Sequence, residues 1–119
     1  MKRKLKKNSL LWLFEPLEED ARFVQRKFFS FDAAYLDERL YLALANGEEP
    51  WNGLLVCTSW EHHAAIREEF PQLESHTVLG KWLYLSLSHP QFESVATDLV
   101  EMARKRDSRL GVESQRGPG

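Results

Sequence analysis

A chain of 119 residues and 13.9 kDa has the length of one domain, which excludes a multidomain enzyme. With 43% hydrophobic and 29% charged residues, its composition is typical of a globular domain and argues against intrinsic disorder. The formal net charge of −2 conceals an acidic body, because five of the 16 basic residues lie at positions 1–7 and leave 11 against 18 acidic residues in 8–119.

The amino-terminal stretch combines a basic tail with a short apolar run. Residues 1–7 predict a flexible tail, and residues 10–14 are five apolar positions that Asn8 or Ser9 can cap as a short helix. A signal-peptide core needs roughly 7 to 15 apolar residues. A membrane span needs roughly 20, and no stretch approaches that length. We therefore expect a cytoplasmic protein with no membrane contact.

The next part of the chain has the pattern of β-strands. A first strand is predicted near residues 23–29, where β-branched, aromatic and basic residues run without a turn signal. Residues 33–36 and 39–45 flank Asp37 and Glu38, and a two-residue connection of this kind indicates a hairpin. A further apolar run at 54–57 predicts a buried strand.

Two of the predicted strands carry a row of leucines on one face. Residues at alternating positions of a strand share a face, so we expect helices over the leucines and aromatic rings on the opposite side. The two rows are Leu40, Leu42 and Leu44, alternating with Tyr41, Ala43 and Ala45, and Leu83, Leu85 and Leu87, alternating with Trp82, Tyr84 and Ser86.

Helices are predicted after the buried strand and near the end of the chain. Thr58 and Glu61 have the spacing of a capping box, and Pro71 ends the helix that they would begin. In the last helix the apolar positions recur with helical spacing, and residues 111–119 then predict a flexible tail. Those apolar positions are Phe92, Val95, Ala96, Leu99, Val100 and Ala103.

This order of elements favours the α+β class in a single domain over residues 8–110. Consecutive strands joined by short turns predict an antiparallel sheet of about five strands, with the helices packed on one face.

Few residues suggest chemistry. The single cysteine excludes an internal disulfide and predicts a reducing compartment. A reactive or metal-binding cluster would have to combine Cys57 with His62, His63 and His76. The alternative is a core cysteine, an exposed His62, a packed His63 and a His76 that bonds to loop backbone. The glycines match no phosphate-binding motif, so we expect no cofactor and no catalytic residues.

Aromatic residues are more informative. The rings opposite the leucine rows either fill a second core or form a surface for a protein partner or a second copy of the chain. The residues concerned are Tyr35, Tyr41, Trp51, Trp82 and Tyr84.

Two basic clusters allow a nucleic-acid alternative. They are residues 1–7 and the group Arg104, Lys105, Arg106 and Arg109 near the other end. Because the rest of the chain is acidic and would repel phosphates, we expect nucleic-acid binding at most weakly, through the tail.

The run Arg26, Lys27, Phe28, Phe29, together with residues 34–44, resembles the amino-terminal domain of the TfoX competence-regulator family. There an Arg-x-Met-Phe-Gly segment leads into a Leu-Tyr-x-Asp-Gly-x-x-Phe hairpin. The resemblance covers residues 9–70, with Ser30 and Glu38 in place of family glycines. Residues 76–84 and the closing helix look like a variant found in small uncharacterised bacterial proteins.

The resemblance implies an α+β domain that acts through regulation and protein contacts, with no catalytic residues to carry over. Our first hypothesis is therefore a non-catalytic interaction or regulatory module, dimeric through an aromatic face or an edge strand. The alternatives are a small-ligand or metal-dependent enzyme at Cys57 and the histidines, and weak nucleic-acid binding through the basic tail.

Overall fold

Two short turns organise the first three strands. In the computed structural model, which describes residues 8–113, β1 (Phe23–Phe28), β2 (Phe31–Leu36) and β3 (Arg39–Asn46) pair antiparallel in chain order. The predicted hairpin at Asp37 and Glu38 is confirmed. Both residues have positive φ, 55° and 67°, as a two-residue hairpin turn of the primed type requires. Aspartate tolerates this left-handed region, so the turn does not need glycine at its first position.

Within residues 8–113 the remaining strands bring the sheet to seven strands, which confirms the α+β class and the antiparallel pairing. β4 (Asn52–Val56) pairs with β3, β6 (Leu83–Ser86) pairs with β4, and β5 (Glu74–Ser75) lies outside β6. β7 (Val112–Glu113) pairs with the start of β3, at Arg39 and Leu40. Both residues belong to the predicted carboxy-terminal tail, yet here they pair with β3. The remainder of that tail and the basic residues 1–7 lie outside the described residues.

In the described part of the chain, three helical segments cover one face of the sheet. They are an amino-terminal 3-10 helix (Leu11–Leu17), α1 (His63–Glu69) with a 3-10 turn (Trp60–His62) before it, and α2 (Phe92–Arg104). Within residues 8–113 no helix has the length and hydropathy needed to cross a bilayer.

The predicted capping box is wrong. The hydroxyl of Thr58 donates a hydrogen bond to the carbonyl oxygen of Arg109, at 2.6 Å, instead of capping the following helix. The chain therefore enters α1 through the 3-10 turn, where Glu61 lies 3.3 Å from the ring of its neighbour His62.

The helix-covered side, called the helical face below, holds the larger core. Its strand residues are leucines and other apolar side chains from β2, β3, β4 and β6, and all six predicted apolar positions of α2 are buried against them. The leucines concerned are Leu36, Leu42, Leu44, Leu54, Leu83 and Leu85. The predicted leucine row near the end of the chain is one residue shorter than expected, because Leu87 lies beyond β6 and is exposed.

A β-bulge breaks the other leucine row. Ala34 pairs with Leu42, but the next residue, Tyr35, pairs with Leu40, which leaves Tyr41 as an extra residue in β3. Tyr41 therefore packs on the helical face beside Leu42, and Leu40 turns to the opposite face. The predicted alternation is wrong at these two positions, since a bulge shifts the side-chain period by one residue.

The opposite side of the sheet, the inner face, encloses a second cluster that includes Tyr35, Cys57 and Trp82. Ring centroids of Phe28, at the end of β1, and Trp82, just before β6, are 5.7 Å apart. Three strands separate β1 from β6. In a flat sheet with a strand spacing of about 4.8 Å, the backbones of β1 and β6 would lie ~19 Å apart, too far for these two rings to be in contact. The sheet therefore curls around the inner face, where the alanines of β2 and β3 leave room for the rings.

An ion-pair network joins three segments at one end of the sheet. The guanidinium of Arg106, after α2, donates to the carboxylates of Asp20, at 2.7 Å, and Asp37, at 2.8 Å. These hydrogen bonds lower the pKa of Asp20 to about 2 and also lower the pKa of Asp37. Arg106 therefore connects the β2–β3 turn, through Asp37, with the segment before β1, through Asp20, and with the end of α2.

We predict that Gly53→Ala destabilises the protein strongly. A Cβ at position 53 would lie 2.1 Å from the backbone carbonyl oxygen of Leu85, so β4 and β6 would have to separate. Overpacking of this kind costs about 3 kcal/mol in the free energy of unfolding, measured by urea denaturation. Gly47→Ala is the control, because its Cβ would meet only the carbonyl oxygen of Trp51 at an ordinary 3.5 Å. Equal stability of the two variants would contradict the close β4–β6 approach.

A second prediction concerns pH. A lowered folded-state pKa stabilises the folded protein above the ordinary value of 3.8, and this stabilisation is lost as the pH falls towards the folded value of about 2. We expect Arg106→Gln to unfold at lower urea concentration than the wild type at pH 7, and the difference to shrink as the pH approaches 2. The control is Lys81→Gln, because Lys81 has no carboxylate within 4.0 Å among the described residues, so its removal should leave the pH dependence unchanged. A difference that does not change with pH would contradict this prediction.

Candidate functional site

An open groove lies at one end of the inner face. Its volume is about 470 Å³, and its walls come from the β1–β2 turn, the 3-10 turn before α1, the loop over residues 76–82 and β7. We call it the aromatic groove and define it by Phe28, Phe29, Trp60, Val78 and Trp82.

The groove gathers the most exposed large apolar side chains of the described residues. Phe29 is 78% exposed, Val78 64% and Trp60 62%, and all three line the groove. Single exposed apolar residues are ordinary, but here three of them border the same cavity.

Phe29 has an unusual backbone as well as an exposed ring. It occupies the first position of the two-residue β1–β2 turn, with φ of 60°. A bulky residue is strained in this region, which glycine or asparagine adopts far more readily. The strained backbone opposes folding, and the exposed part of the ring contributes no burial to offset it. Strained positions of this kind cluster at functional sites.

One side of the Trp60 indole is exposed, and contacts on its other sides hold it in place. Its indole packs against the ring of His63, with centroids 4.9 Å apart. On the loop side a Cβ at Gly80 would lie 3.3 Å from the indole, so only a glycine lets the backbone approach this closely without displacement. The His63 ring is itself positioned by the carbonyl oxygen of Lys81, 2.8 Å from its Nε2. The groove therefore presents a tryptophan whose orientation is largely fixed.

His76 positions the loop that carries Val78. Its Nδ1 accepts hydrogen bonds from the backbone N–H groups of Val78, at 3.1 Å, and Leu79, at 3.0 Å. Its Nε2 lies 2.7 Å from the carbonyl oxygen of Pro50, which requires the ring proton on that nitrogen. The imidazole is buried and packs on Trp51, so its role is to join two loops.

Cys57, His62, His63 and His76 do not form one site. Cys57 is fully buried in the inner cluster, and burial raises the pKa of its thiol well above the ordinary value. His62 contacts Glu61, while His63 and His76 bond to separate backbone carbonyls. Over residues 8–113 no three histidine, cysteine or acidic side chains are grouped as metal ligands. This arrangement offers no nucleophile activated by a neighbouring base.

The rings proposed from the sequence as an interaction surface occupy different places. Tyr35 and Trp82 are buried in the inner cluster, and Trp51 and Tyr84 are half-buried against it. Tyr41 lies on the helical face because of the bulge, so its assignment to the same surface is wrong. The exposed rings belong instead to Phe29 and Trp60.

Tyr84 anchors a polar network beside these rings. Its hydroxyl donates to a carboxylate oxygen of Glu49, at 2.7 Å, and accepts from the backbone N–H of Asn52. Burial, assisted by the Glu49 hydrogen bond, raises the pKa of Tyr84 well above its ordinary value. The hydroxyl of Ser86 donates to the other oxygen of Glu49. This network fastens the β3–β4 loop to β6.

Two basic side chains lie on segments that contribute to the groove, one on β1 and one on the loop over residues 76–82. The guanidinium of Arg26 lies 5.2 Å from the centroid of the Tyr35 ring, and Lys81 borders the groove itself. Among the described residues neither has a carboxylate within 4.0 Å; the recorded ion pairs involve other basic side chains.

The carboxy-terminal basic cluster is paired within the fold. Arg104 and Lys105 contact Glu101, Arg106 contacts Asp20 and Asp37, and Arg109 contacts Asp107 and Glu69. These pairs reduce the charge that this cluster could offer to a phosphate backbone. The nucleic-acid alternative therefore rests on residues 1–7, which lie outside the described part of the chain.

No protein-family model matches the chain, and neither does any curated protein or solved structure.

Sequence reasoning missed Phe29 as a site residue, although a signal was present. Residues 28–31 read Phe-Phe-Ser-Phe, and a two-residue turn between strands normally takes glycine, asparagine or aspartate at its first position. A phenylalanine in that position is unfavourable for the backbone of the turn, although its ring contacts Phe28 and Phe31 on either side. Trp60 carried no such signal, because its exposure depends on the 3-10 turn that replaces the predicted helix start.

We predict that Cys57 reacts with thiol reagents only when the protein unfolds. The side chain is fully buried, and the raised pKa disfavours the thiolate that reacts. Labelling with a chromogenic disulfide at pH 8 should therefore be slow in buffer, and its rate should rise with urea in step with the unfolded fraction. Because this is the only cysteine in the chain, the signal reports one residue. Rapid labelling of the folded protein would contradict the inert assignment.

Proposed function

We propose that the chain is a non-catalytic protein-interaction or regulatory module that binds a partner protein through the aromatic groove. The observation that carries the proposal is Phe29, an exposed phenylalanine in a strained turn conformation at the edge of an apolar groove. The ring contacts Phe28, at a centroid distance of 4.8 Å, and Phe31, at 6.3 Å, but 78% of the residue is exposed and available to a partner as a large apolar contact.

The rest of the groove supports the same function. Trp60 is exposed yet held by His63 and Gly80, and a preorganised aromatic side chain costs little conformational entropy when a partner binds. Val78 is presented on a loop fastened by His76. Aromatic anchors of this kind contribute much of the affinity at protein interfaces.

We also propose that the chain is related to the TfoX amino-terminal domain and that the protein is cytoplasmic. That family implies an α+β domain acting through protein contacts, and the α+β class of this chain is compatible with it. One buried free cysteine is compatible with a reducing compartment. Self-association remains one form that the protein contact could take.

The test selects peptides of about 12 residues from a random library on the immobilised protein. Affinities of the enriched peptides are then measured for the wild type, Phe29→Asn and Trp60→Ala. We expect each substitution to weaken binding by about tenfold or more, because each removes an aromatic anchor.

The Phe29→Asn variant distinguishes an effect on binding affinity from an effect on folding stability. Asparagine adopts positive φ readily, so we expect the free energy of unfolding to stay equal or rise by about 1 kcal/mol while affinity falls. The control is Trp12→Ala, which removes an exposed tryptophan from the amino-terminal 3-10 helix, away from the groove. Unchanged affinity in both groove variants, or failure of any peptide to enrich, would overturn the proposed function.

A further inference from the structure

We infer that the partner of the aromatic groove is an extended, acidic segment of another protein that pairs with the free edge of β1 and places an apolar side chain in the groove. This inference rests on the proposed function and specifies the chemistry of its partner.

The free edge of β1 ends at the groove. In the strand order β1 is terminal, and among the described residues it pairs only with β2. Its six residues, Phe23–Phe28, offer an edge of about 20 Å at roughly 3.3 Å per residue. The middle of this strand is exposed, and its last residue, Phe28, lines the groove. A peptide that pairs with such an edge gains backbone hydrogen bonds, and a neighbouring cavity selects its side chains.

Charge on this edge favours an acidic partner. Arg26 and Lys27 are exposed on β1, and Lys81 borders the groove. Lys27 shares the carboxylate of Asp32, at 3.2 Å, whereas Arg26 and Lys81 have no carboxylate within 4.0 Å among the described residues. Glu113 also lines the groove and is the acidic side chain that opposes them there.

The same charge disfavours the other occupants. Two copies of β1 paired edge to edge would bring Arg26 and Lys27 close to the same residues of the second copy, and edge lysines commonly prevent such pairing. Glu38 and Glu113 beside Arg26 would repel any anionic partner, so they do not distinguish an acidic peptide from a nucleic acid. A single-stranded nucleic acid would find exposed rings and positive charge, but it cannot form the regular backbone pairing that a peptide makes with a free strand edge. An acidic peptide gains from the cations and also from the unpaired strand edge.

The apolar part of the partner follows from strand geometry. Side chains alternate between the two sides of a paired strand, so the residues that point towards Phe28 and the groove lie two apart in the partner. Arg26 and Phe28 lie two residues apart and share the inner face of β1, so we expect the partner to place an apolar residue beside Phe28, where it contacts Phe29 and Trp60. An acidic residue should lie two positions further along the partner, on the same side, beside Arg26.

The experiment uses the full chain and the highest-affinity peptide from the library selection. Its acidic residues are replaced by Gln in one variant and by Lys in another, and affinity is measured by fluorescence anisotropy. We expect affinity to fall about tenfold for the Gln peptide and further for the Lys peptide. Arg26→Glu and Lys81→Glu should each lower affinity for the acidic peptide about tenfold and improve binding of the Lys peptide.

Two controls make these measurements specific. Lys105→Glu changes the net charge equally, but Lys105 lies at the end of α2, beside Glu101, and should leave affinity unchanged. Backbone pairing is tested by N-methylation of alternate peptide amides, where one of the two alternating sets should abolish binding and the other should be tolerated, because only every second amide of a paired strand faces its neighbour.

Each contrary result has a distinct meaning. Enriched peptides that need Phe29 and Trp60 but ignore peptide charge and N-methylation would overturn this inference and leave the proposed function standing. Peptides that ignore the groove variants would overturn both. A dimer in light scattering that Trp60→Ala dissociates would identify a second copy as the occupant. Tighter, salt-dependent binding of a thymidine oligonucleotide through Arg26 and Lys81 would identify nucleic acid instead.

Discussion

The contact between Phe28 and Trp82 is the constraint on which the rest of the molecule depends. It draws together two strands that three others separate, and the sheet must curl to allow it. The curl buries the inner cluster and gives the domain a second core beside the helical one. It also brings the β1–β2 turn close to the loop over residues 76–82, and the aromatic groove lies where these segments meet.

The two cores differ in what they leave exposed. On the helical face the 3-10 helix, α1 and α2 cover the leucines of the sheet. The inner face has no helical layer among its cluster residues and relies on loops held by His76, Glu49 and Tyr84. Because loops cover the inner face incompletely, a groove stays open beside Phe29 and Trp60. Rigid loops can hold such exposed rings in a fixed orientation for a partner. Cys57 belongs to the inner core, where its buried side chain contributes to packing.

Much of the fold could be predicted from local pattern. The α2 helix shows its apolar stripe in the sequence, and the Asp37–Glu38 turn is recognisable from the strands that flank it. The errors occur where a non-local contact overrides a local preference. Thr58 fits a capping box but donates its hydroxyl to Arg109, and Tyr41 fits an alternating strand but becomes the extra residue of a bulge. Of the candidate site, Phe29 carried a readable signal in its turn position, whereas Trp60 and Val78 did not.

By itself, the sequence determined the class of the fold, the positions of its long strands and its last helix, and the shortage of grouped reactive residues, because each depends on composition or on neighbours within a few positions. The tertiary structure alone decided which face each ring occupies, how far the sheet curls and which apolar side chains stay exposed. These properties depend on pairing register and on contacts between segments far apart in the chain, such as Phe28 with Trp82, which no local pattern encodes.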